Sequence, residues 1–331
     1  MRSIRPLALF DDTHGQTNWQ QTGFPSREWH TNLAGLAEML LKLGLDCRSV
    51  RPWLLSEQLH RARLLVLPPP TGYYDPTQEH WEQLGTSLLT ASEIRDILRF
   101  LDEGGRLLAF AYRFGDAFTQ TNLDTLFAPL GCQLNPDAVI DLTLLRDVHP
   151  LRFHFETPRE VLPLIWSHDG VSTVRWRSLA TFALHPGAPV QPLALSPGGC
   201  CISFDCVHRR ISFLSLPIAV AGRYGQGRFV LFGGPHAFET GPLGLLHTAH
   251  NRRFLANVLA WLLADGFVES PAVSCEPPPA VTAWIGLLTE RYRDLCQVED
   301  TGKGAGTVAF VERLLQETGV LKALARPSWM P

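Results

Sequence analysis

The sequence predicts an α/β protein built on a doubly wound parallel sheet. Over about the first 130 residues, short apolar segments typical of buried strands alternate with segments whose apolar residues repeat at the helical spacing. Short links join the two kinds of segment, which is the pattern of a parallel sheet covered by helices on both faces. Hydrophobic residues make up 45% of the 331 residues and charged residues 18%, so the chain can bury a sizeable core.

The first strand and the first helix show this alternation most clearly. The apolar run in "PLALFDD" (6–12) stops at two aspartates, as a buried parallel strand does. In "NLAGLAEMLLKLGL" (32–45) the apolar residues repeat at a helical period, and Gly44 stands where a helix C-terminus is expected. A second strand, a short helix and a third strand ended by three prolines are predicted next, at 46–53, 54–62 and 63–70.

A capped helix leads into the fourth strand. In "LTASEIRDILRFLDEGG" (89–105), Thr90 precedes Glu93 by three residues, which is the spacing of a capping box, and two glycines end the segment. The remaining predicted elements are a strand at 106–112, a short helix at 121–131, a strand within 132–141, short and partly antiparallel strands over about 140–225, a strand at 227–234 and a long helix at 245–266.

The chain is predicted to have three parts. The α/β domain spans 1–267 and contains the inserted short-strand region at about 140–225. A proline-rich linker follows at 268–280, and a helical tail occupies 281–331. Because the apolar stripes of the tail need burial, we expect the tail to pack on the main domain or to bind a protein partner through 281–326.

Composition excludes several classes of protein. The net charge is −3 and no basic run is present, so nucleic acid is not indicated as a partner. No apolar run is long enough to cross a membrane, and the apolar part of the N-terminus is too short for a signal peptide. The seven cysteines show no zinc spacing and are interpreted as reduced thiols. A cytoplasmic location is therefore expected.

Polar side chains follow several of the predicted strands. Ligands of doubly wound sheets bind at the carboxyl ends of the strands, so these residues are the candidates for a binding site. Aromatic side chains at the same edge would suit a sugar ligand. The predicted ligand-binding residues are Asp11, Asp12, His14 and Gln16 after the first strand, Tyr73 after the third, Arg113 and Asp116 after the fourth, and His236 and Glu239 after the late strand at 227–234.

The candidate chemistry of this edge is limited. The turn after the fourth strand, "AYRFGD", holds no serine or cysteine, which argues against a nucleophile elbow and acyl transfer. His14, His236 and Glu239 remain the candidates for general acid–base catalysis. Histidine and carboxylate also suit a divalent cation, but turn capping and bonding to the backbone are the favoured explanation, and we predict neither a metal nor a cofactor.

Three segments together resemble a known family. "LFDDTHGQ" (9–16) is similar to the start of bacterial domains of the DUF4350 type. The segment 89–141 resembles the GIFT domain of intraflagellar-transport proteins: a helix ending in Asp-x-Gly-Gly, a strand, "TN" before a short helix, and Asn-x-Asp-Ala-Val after it. "AVAGRYGQGRFVLFGGPHAF" (219–238) resembles the Tyr-Gly-x-Gly-Arg strand of that family with its following Gly-x-x-His-x-Phe. The resemblance spans roughly residues 4–265.

The resemblance implies a flavodoxin-like core related to class I glutamine amidotransferases and ThuA-like proteins. Those amidotransferases carry an elbow cysteine and a His-x-Glu pair. Here the pair is His236 and Glu239, one position further apart, and Tyr112-Arg113-Phe114 stands in place of the cysteine. The implied function is a non-catalytic scaffold that binds a protein partner, a small molecule or a glycan. The alternative is a hydrolase or a carbohydrate-processing protein with a His/Asp/Arg site at this edge.

Overall fold

A seven-stranded sheet forms the centre of the protein. The computed structural model describes sixteen strands, many of them short, and six α-helices, within one unit that spans Met1–Val273. The described residues are 5–12, 14, 32–50, 56–69, 73–75, 80–82, 88–119, 121–139, 155–158, 171, 173–177, 179–196, 201–204, 209–212, 216–240, 244–248 and 250–264. The predicted linker 268–280 and helical tail 281–331 lie outside them, as does Gln16.

Strands and helices alternate along the first part of the chain, and short strands dominate its middle. The strands are β1 (Leu7–Asp11), β2 (Asp46–Val50), β3 (Ala62–Leu67), β4 (Tyr73–Asp75), β5 (His80–Glu82), β6 (Arg106–Phe110), β7 (Cys132–Leu134), β8 (Asp137–Val139), β9 (Phe155–Pro158), β10 (Thr173–Trp176), β11 (Phe182–Leu184), β12 (Val190–Leu195), β13 (Cys201–Phe204), β14 (Arg209–Ser212), β15 (Pro217–Tyr224) and β16 (Gly227–Phe232). The helices are α1 (Ala34–Lys42), α2 (Ser56–Leu59), α3 (Ala91–Asp102), α4 (Gly115–Thr119), α5 (Leu123–Phe127) and α6 (Asn251–Leu263), and a 3-10 turn spans Ala128–Leu130.

The central sheet is mostly parallel, as predicted. Its strand order is β12-β15-β16-β6-β3-β1-β2. The five strands from β16 to β2 are parallel to one another. At the other end of the sheet, β15 is antiparallel to β16, and β12 is antiparallel to β15. Within the predicted short-strand region at about 140–225, β12 and β15 extend the main sheet. The other short strands pair in small sheets: β9 with β10, β7 with β11, and β8 with β13 and β14.

Helices cover both faces of this sheet. Successive side chains of a strand point to opposite faces, and in β1 Ala8 and Phe10 belong to one core cluster while Leu9 belongs to the other. The first cluster includes residues of α1 and α6, and the second includes residues of α2, α3 and α5. The mixed α/β class predicted from the alternation is therefore confirmed. No described helix is long and apolar enough to cross a membrane.

Two local predictions differ from the structure. The hairpin β4–β5 and the helix α4 are absent from the prediction, because each is too short for a hydrophobic period to develop. The last helix begins at Asn251 instead of Leu245. The side chain of Asn251, its first residue, pairs with the backbone of Arg175: Oδ1 accepts from the Arg175 amide and Nδ2 donates to the Arg175 carbonyl, both at 2.8 Å.

Arginines occupy the amino ends of three neighbouring strands. Helices that run antiparallel to these strands end at this edge, and their last carbonyls carry partial negative charge. The guanidinium of Arg106 donates to the carbonyls of Gly104 and Gly105 after α3. Arg228 donates to Trp261 and Arg63 to Leu263, both near the end of α6. These arginines have a structural role, so the candidate binding residues remain those at the carboxyl edge.

Candidate functional site

The carboxyl edge of the parallel strands carries two buried histidine–carboxylate pairs. One follows β1 and the other follows β16. In the sheet β3 and β6 lie between these two strands. At a strand spacing of ~4.8 Å the two pairs are therefore separated by roughly 14 Å along the edge. The structure places both pairs at the predicted edge but at different positions along it.

The first pair is formed by Asp11, the last residue of β1, and His14. The His14 Nδ1 lies 2.8 Å from Asp11 Oδ2, and the two side chains are 1% and 0% exposed. Asp12 is half-buried, and its amide donates to the carbonyl of Val50 at 3.2 Å, which continues the pairing of β1 with β2. The imidazole of His14 is thus held by its own strand end and faces the protein interior.

A third member of this cluster, Glu93, is absent from the predicted site. Its Oε2 lies 3.4 Å from His14 Nε2, and the Glu93 side chain is 6% exposed. The predicted capping box is confirmed: the Glu93 amide donates to Thr90 Oγ1 at 3.2 Å, and the Thr90 amide donates to Glu93 Oε2 at 2.8 Å. The spacing in sequence reveals the local role of Glu93. Its contact with His14, 79 positions away, depends on the fold.

Two opposing effects act on the pKa of His14. Burial is the larger single effect and lowers the pKa by disfavouring the imidazolium. The hydrogen bond and the charge of Asp11, together with the charge and hydrogen bond of Glu93, raise it and prevail. The pKa of His14 therefore lies above its ordinary value.

The second pair is His236 and Glu239, in the segment after β16. The His236 Nδ1 is in a short hydrogen bond with Glu239 Oε2, and the side chains are 9% and 5% exposed. The Tyr112 ring, which follows β6, meets the His236 ring edge-on at a centroid distance of 5.8 Å. Thr240 donates to Asn32 Oδ1 at 2.8 Å, which joins this segment to the start of α1. The side chains of His236 and Glu239 are therefore both buried by the surrounding residues.

The turn after β6 contains one residue with an uncommon backbone conformation. Phe114 has φ 64°, a left-handed conformation that side-chain-bearing residues rarely adopt. The Phe114 amide donates to the carbonyl of Asp137 at 2.6 Å. The guanidinium of half-buried Arg113 lies 5.9 Å and 5.8 Å from the ring centroids of Tyr112 and Phe114. This turn is sharp, and two aromatic rings flank the guanidinium of Arg113.

Asp116, another predicted ligand-binding residue, caps a helix. Its Oδ1 accepts from the amide of Leu123 at 3.0 Å, and its Oδ2 accepts from the amide of Asp124 at 2.8 Å. Both oxygens therefore satisfy amides at the start of α5, so a structural role accounts for this carboxylate. The backbone of Tyr73 lies in the β4–β5 hairpin. Participation of these two residues in a ligand site stays a prediction.

A buried carboxylate outside the predicted site lies beside the Phe114 turn. Asp137 is 4% exposed, and its two oxygens accept from the amide and the hydroxyl of Thr181. Asn135 Nδ2 donates to the same hydroxyl at 2.8 Å. Burial raises the pKa of Asp137 to about 6, although the hydrogen bonds from Thr181 lower it. Asn135, Asp137 and Thr181 thus form a hydrogen-bonded cluster beside the turn after β6.

Mild acid is expected to stabilise the protein through Asp137. Its native pKa of about 6 exceeds the ordinary 3.8, so the native state binds more protons in this range and stability falls as the pH rises from about 4 to 6. Between pH 7 and pH 5 this single group contributes about 1.3 kcal/mol of added stability. Asp137→Asn should remove that increment when urea unfolding is measured at both pH values. Equal pH dependence in the two proteins would contradict the assignment.

Metal binding receives no geometric support from the described part of the chain. Within it, no group of three His, Cys, Asp or Glu side chains lies close enough together to hold a metal ion. The described free thiols are Cys47 and Cys132. Burial raises their pKa values to about 11 and about 12, so neither forms a thiolate nucleophile at neutral pH.

Comparison with known proteins identifies a similar fold. The N-terminal domain of mmIFT52 has a TM-score of 0.58 and 19% identity, and the match covers 80% of this chain and 100% of that one. A cytoplasmic protein from Salmonella typhimurium LT2 has a TM-score of 0.45 and 16% identity, over 77% of this chain and 98% of that one. No protein-family model and no curated protein matches the sequence. At this level of identity, the mmIFT52 match shows a shared fold.

Proposed function

We propose that this chain is a non-catalytic binding protein of the GIFT type, which uses a flavodoxin-like, amidotransferase-related domain to hold a protein partner within a multi-protein complex in the cytoplasm. The observation that carries the proposal is the burial of both histidine–carboxylate pairs. The His14 side chain is 1% exposed and that of His236 is 9% exposed. His14 is hydrogen-bonded to Asp11, and His236 is hydrogen-bonded to Glu239. Such side chains position loops better than they act on a substrate.

Two further observations support a binding role. The turn after β6 places Phe114 in a left-handed conformation where related enzymes need a nucleophile. The resemblance of the sequence to GIFT and DUF4350 domains agrees in fold with the structural similarity to the mmIFT52 domain. The alternative enzyme with a His/Asp/Arg site would use His14 or His236 as its general base, and the burial of both histidines argues against that site.

The partner-binding element of the proposal is the tail 281–326. Its apolar residues repeat at helical spacing, among them Trp284, Leu287, Leu314 and Leu315. A stripe of this kind can bind in an apolar groove of another protein. A small polar ligand or glycan at the carboxyl edge remains a secondary part of the proposal, supported by the placement of Arg113 and Tyr112 there.

Co-purification with the 331-residue chain tests this function. The tagged chain is expected to retain a stoichiometric partner in size-exclusion chromatography, and Leu314→Asp with Leu315→Asp should release it. The matched control is Leu41→Asp in α1, where the same change falls on a side chain that is 48% exposed. The control should keep the partner. Absence of any partner, or ester or glycoside hydrolysis that His14→Gln abolishes, would contradict the proposal.

A further inference from the structure

Asp137 connects two segments that lie far apart in sequence. Its main-chain carbonyl accepts from the amide of Phe114, in the turn after β6, at 2.6 Å. Its carboxylate accepts from the amide of Thr181 at 2.7 Å and from the Thr181 hydroxyl in a short hydrogen bond. Thr181 ends the segment 179–181, which leads into β11. One residue therefore holds the turn through its backbone and the segment 179–181 through its side chain.

Among the described residues, only neutral donors act on this buried carboxylate. Asp137 is 4% exposed, and its charged form is favoured by the hydrogen bonds from Thr181 alone. The segment 179–181 carries no titratable side chain. Arg113 and Asp116, in and after the turn after β6, do not contribute to the pKa of Asp137. In the small sheet, the strand β13 separates Arg210 of β14 from Asp137.

The site accommodates both protonation states of Asp137, at different cost. When the carboxyl group is protonated, one oxygen still accepts from the Thr181 amide, and the acid hydrogen can be donated to Thr181 Oγ1. A hydroxyl oxygen has two acceptor positions, and Asn135 Nδ2 occupies the other at 2.8 Å. When the carboxyl group is ionised, a charge is held in a buried site without a cation among the described residues. Burial thus favours the protonated form, whereas water favours the ionised form.

Main-chain hydrogen bonds also hold the segment 179–181 in place. They are donated by Asn135 to Thr181 at 2.8 Å, by Val139 to Leu179 at 2.9 Å and by Ala180 to Gly233 at 2.9 Å. None of these groups titrates, so these bonds keep the segment closed most of the time at any pH. Opening of the segment would bring water to Asp137, because Thr181 contacts both of its carboxylate oxygens. Ionisation therefore shifts the ratio of open to closed molecules.

We propose that Asp137 and Thr181 form a proton-controlled joint, which keeps the segment 179–181 closed while Asp137 is protonated and lets it open more often once Asp137 is ionised. This opening involves one segment and leaves the central sheet folded, so it differs from unfolding of the whole protein. The joint is a property of the fold and does not depend on partner binding. Its test can therefore fail while the proposed function stands, and the reverse also holds.

The direction of the pH response follows from linkage. Burial raises the pKa of Asp137 from 3.8 to about 6 in the closed state, although the hydrogen bonds from Thr181 lower it. Because the raised value belongs to the closed state, the contribution of Asp137 to closure is fully present below its ordinary pKa. It is lost as the pH rises through the closed-state value. Opening of the segment should become about tenfold more frequent between pH 5 and pH 7.

Carbon NMR and amide hydrogen exchange on the 331-residue chain test the joint. The Asp137 carboxyl group should titrate with a midpoint of about 6, and Thr181→Val, which removes one hydroxyl donor, should raise that midpoint further. Protection of the Thr181 amide should fall about tenfold from pH 5 to pH 7, after correction for the intrinsic exchange rate. Its exchange should depend little on urea, because a local opening exposes little surface.

Two aspartate variants complete the design. Asp137→Asn keeps an acceptor for the Thr181 amide and should abolish the pH dependence of Thr181 protection. The matched control is Asp96→Asn on α3, which removes a carboxylate 3.9 Å from Arg99 and should leave that dependence intact. If Asp137→Asn folds poorly, Thr181→Val decides, since an unchanged Asp137 midpoint in that variant would contradict the joint.

Two results in the wild-type protein would overturn the joint. One is an Asp137 midpoint at or below 3.8, as a cation beside the carboxylate would produce. The other is exchange of the Thr181 amide with the same rate and urea dependence as the amides of β6 and β16. In that case the segment 179–181 would open only when the whole protein unfolds.

Discussion

Replacing Gly233 with alanine should destabilise the protein by about 3 kcal/mol or more. A Cβ added at Gly233 would lie 2.0 Å from the carbonyl oxygen of Ala180, which is a backbone atom. The Gly233 carbonyl also accepts from the amide of Ala180 at 2.9 Å, and the Gly233 amide donates to Ile218 at 2.9 Å. The segments of Ala180 and Gly233 therefore cannot move apart without breaking the hydrogen bond between them. A shift of Gly233 would also disturb its hydrogen bond to Ile218. Urea unfolding of the purified variant measures the loss.

A comparison with Gly35 separates backbone clash from side-chain clash. A Cβ at Gly35 would lie 2.3 Å from Leu246 Cδ2 and 2.5 Å from Thr240 Cγ2, which are side-chain atoms. Gly35→Ala should destabilise the protein, and adding Leu246→Val and Thr240→Ser should recover part of the loss. No side-chain truncation at Ala180 can relieve Gly233→Ala. Stability of Gly233→Ala within about 1 kcal/mol of the wild type would mean that the backbone yields easily at this position.

The order of the main strands and helices could be predicted from the sequence because long apolar patterns are local signals. The period of α1, the capping box of α3 and the prolines after β3 each act within a few residues. Pairing of β12 and β15 with the main sheet has no such signal, since it depends on partners far along the chain. The same holds for the contacts of Asn251, the first residue of α6, with the backbone of Arg175.

The candidate site is partly predictable for the same reason. The two residues of each histidine–carboxylate pair are three positions apart in sequence, so their types and spacing are visible. Whether such a pair faces a ligand or the interior depends on burial, which only the fold decides. The capping role of Glu93 can be predicted from its spacing to Thr90. Its contact with His14 arises only because the fold brings α3 close to the end of β1. Asp116 is predicted to bind a ligand, but both of its oxygens bond to the start of α5.

The segment that carries His236 and Glu239 is anchored by one aromatic side chain. Phe238 is fully buried, and its ring lies 4.6 Å from Phe232, 5.9 Å from Phe110 and Trp176, and 6.0 Å from Phe254, measured between centroids. These rings come from β6, β10, β16 and α6. The segment after β16 is therefore attached to the core by a ring that lies between its two candidate site residues in sequence.

Phe238→Ala is accordingly expected to cost about 3–5 kcal/mol, because it removes a large buried ring and leaves a cavity. Phe238→Leu fills most of that volume and should cost much less. Loss of the anchor should also expose His236, whose side chain is 9% exposed in the native protein. Urea unfolding measures the stability, and diethylpyrocarbonate labelling of His236 measures the exposure. If Phe238→Ala were destabilised without faster labelling of His236, the short hydrogen bond to Glu239 would hold the segment without the aromatic anchor.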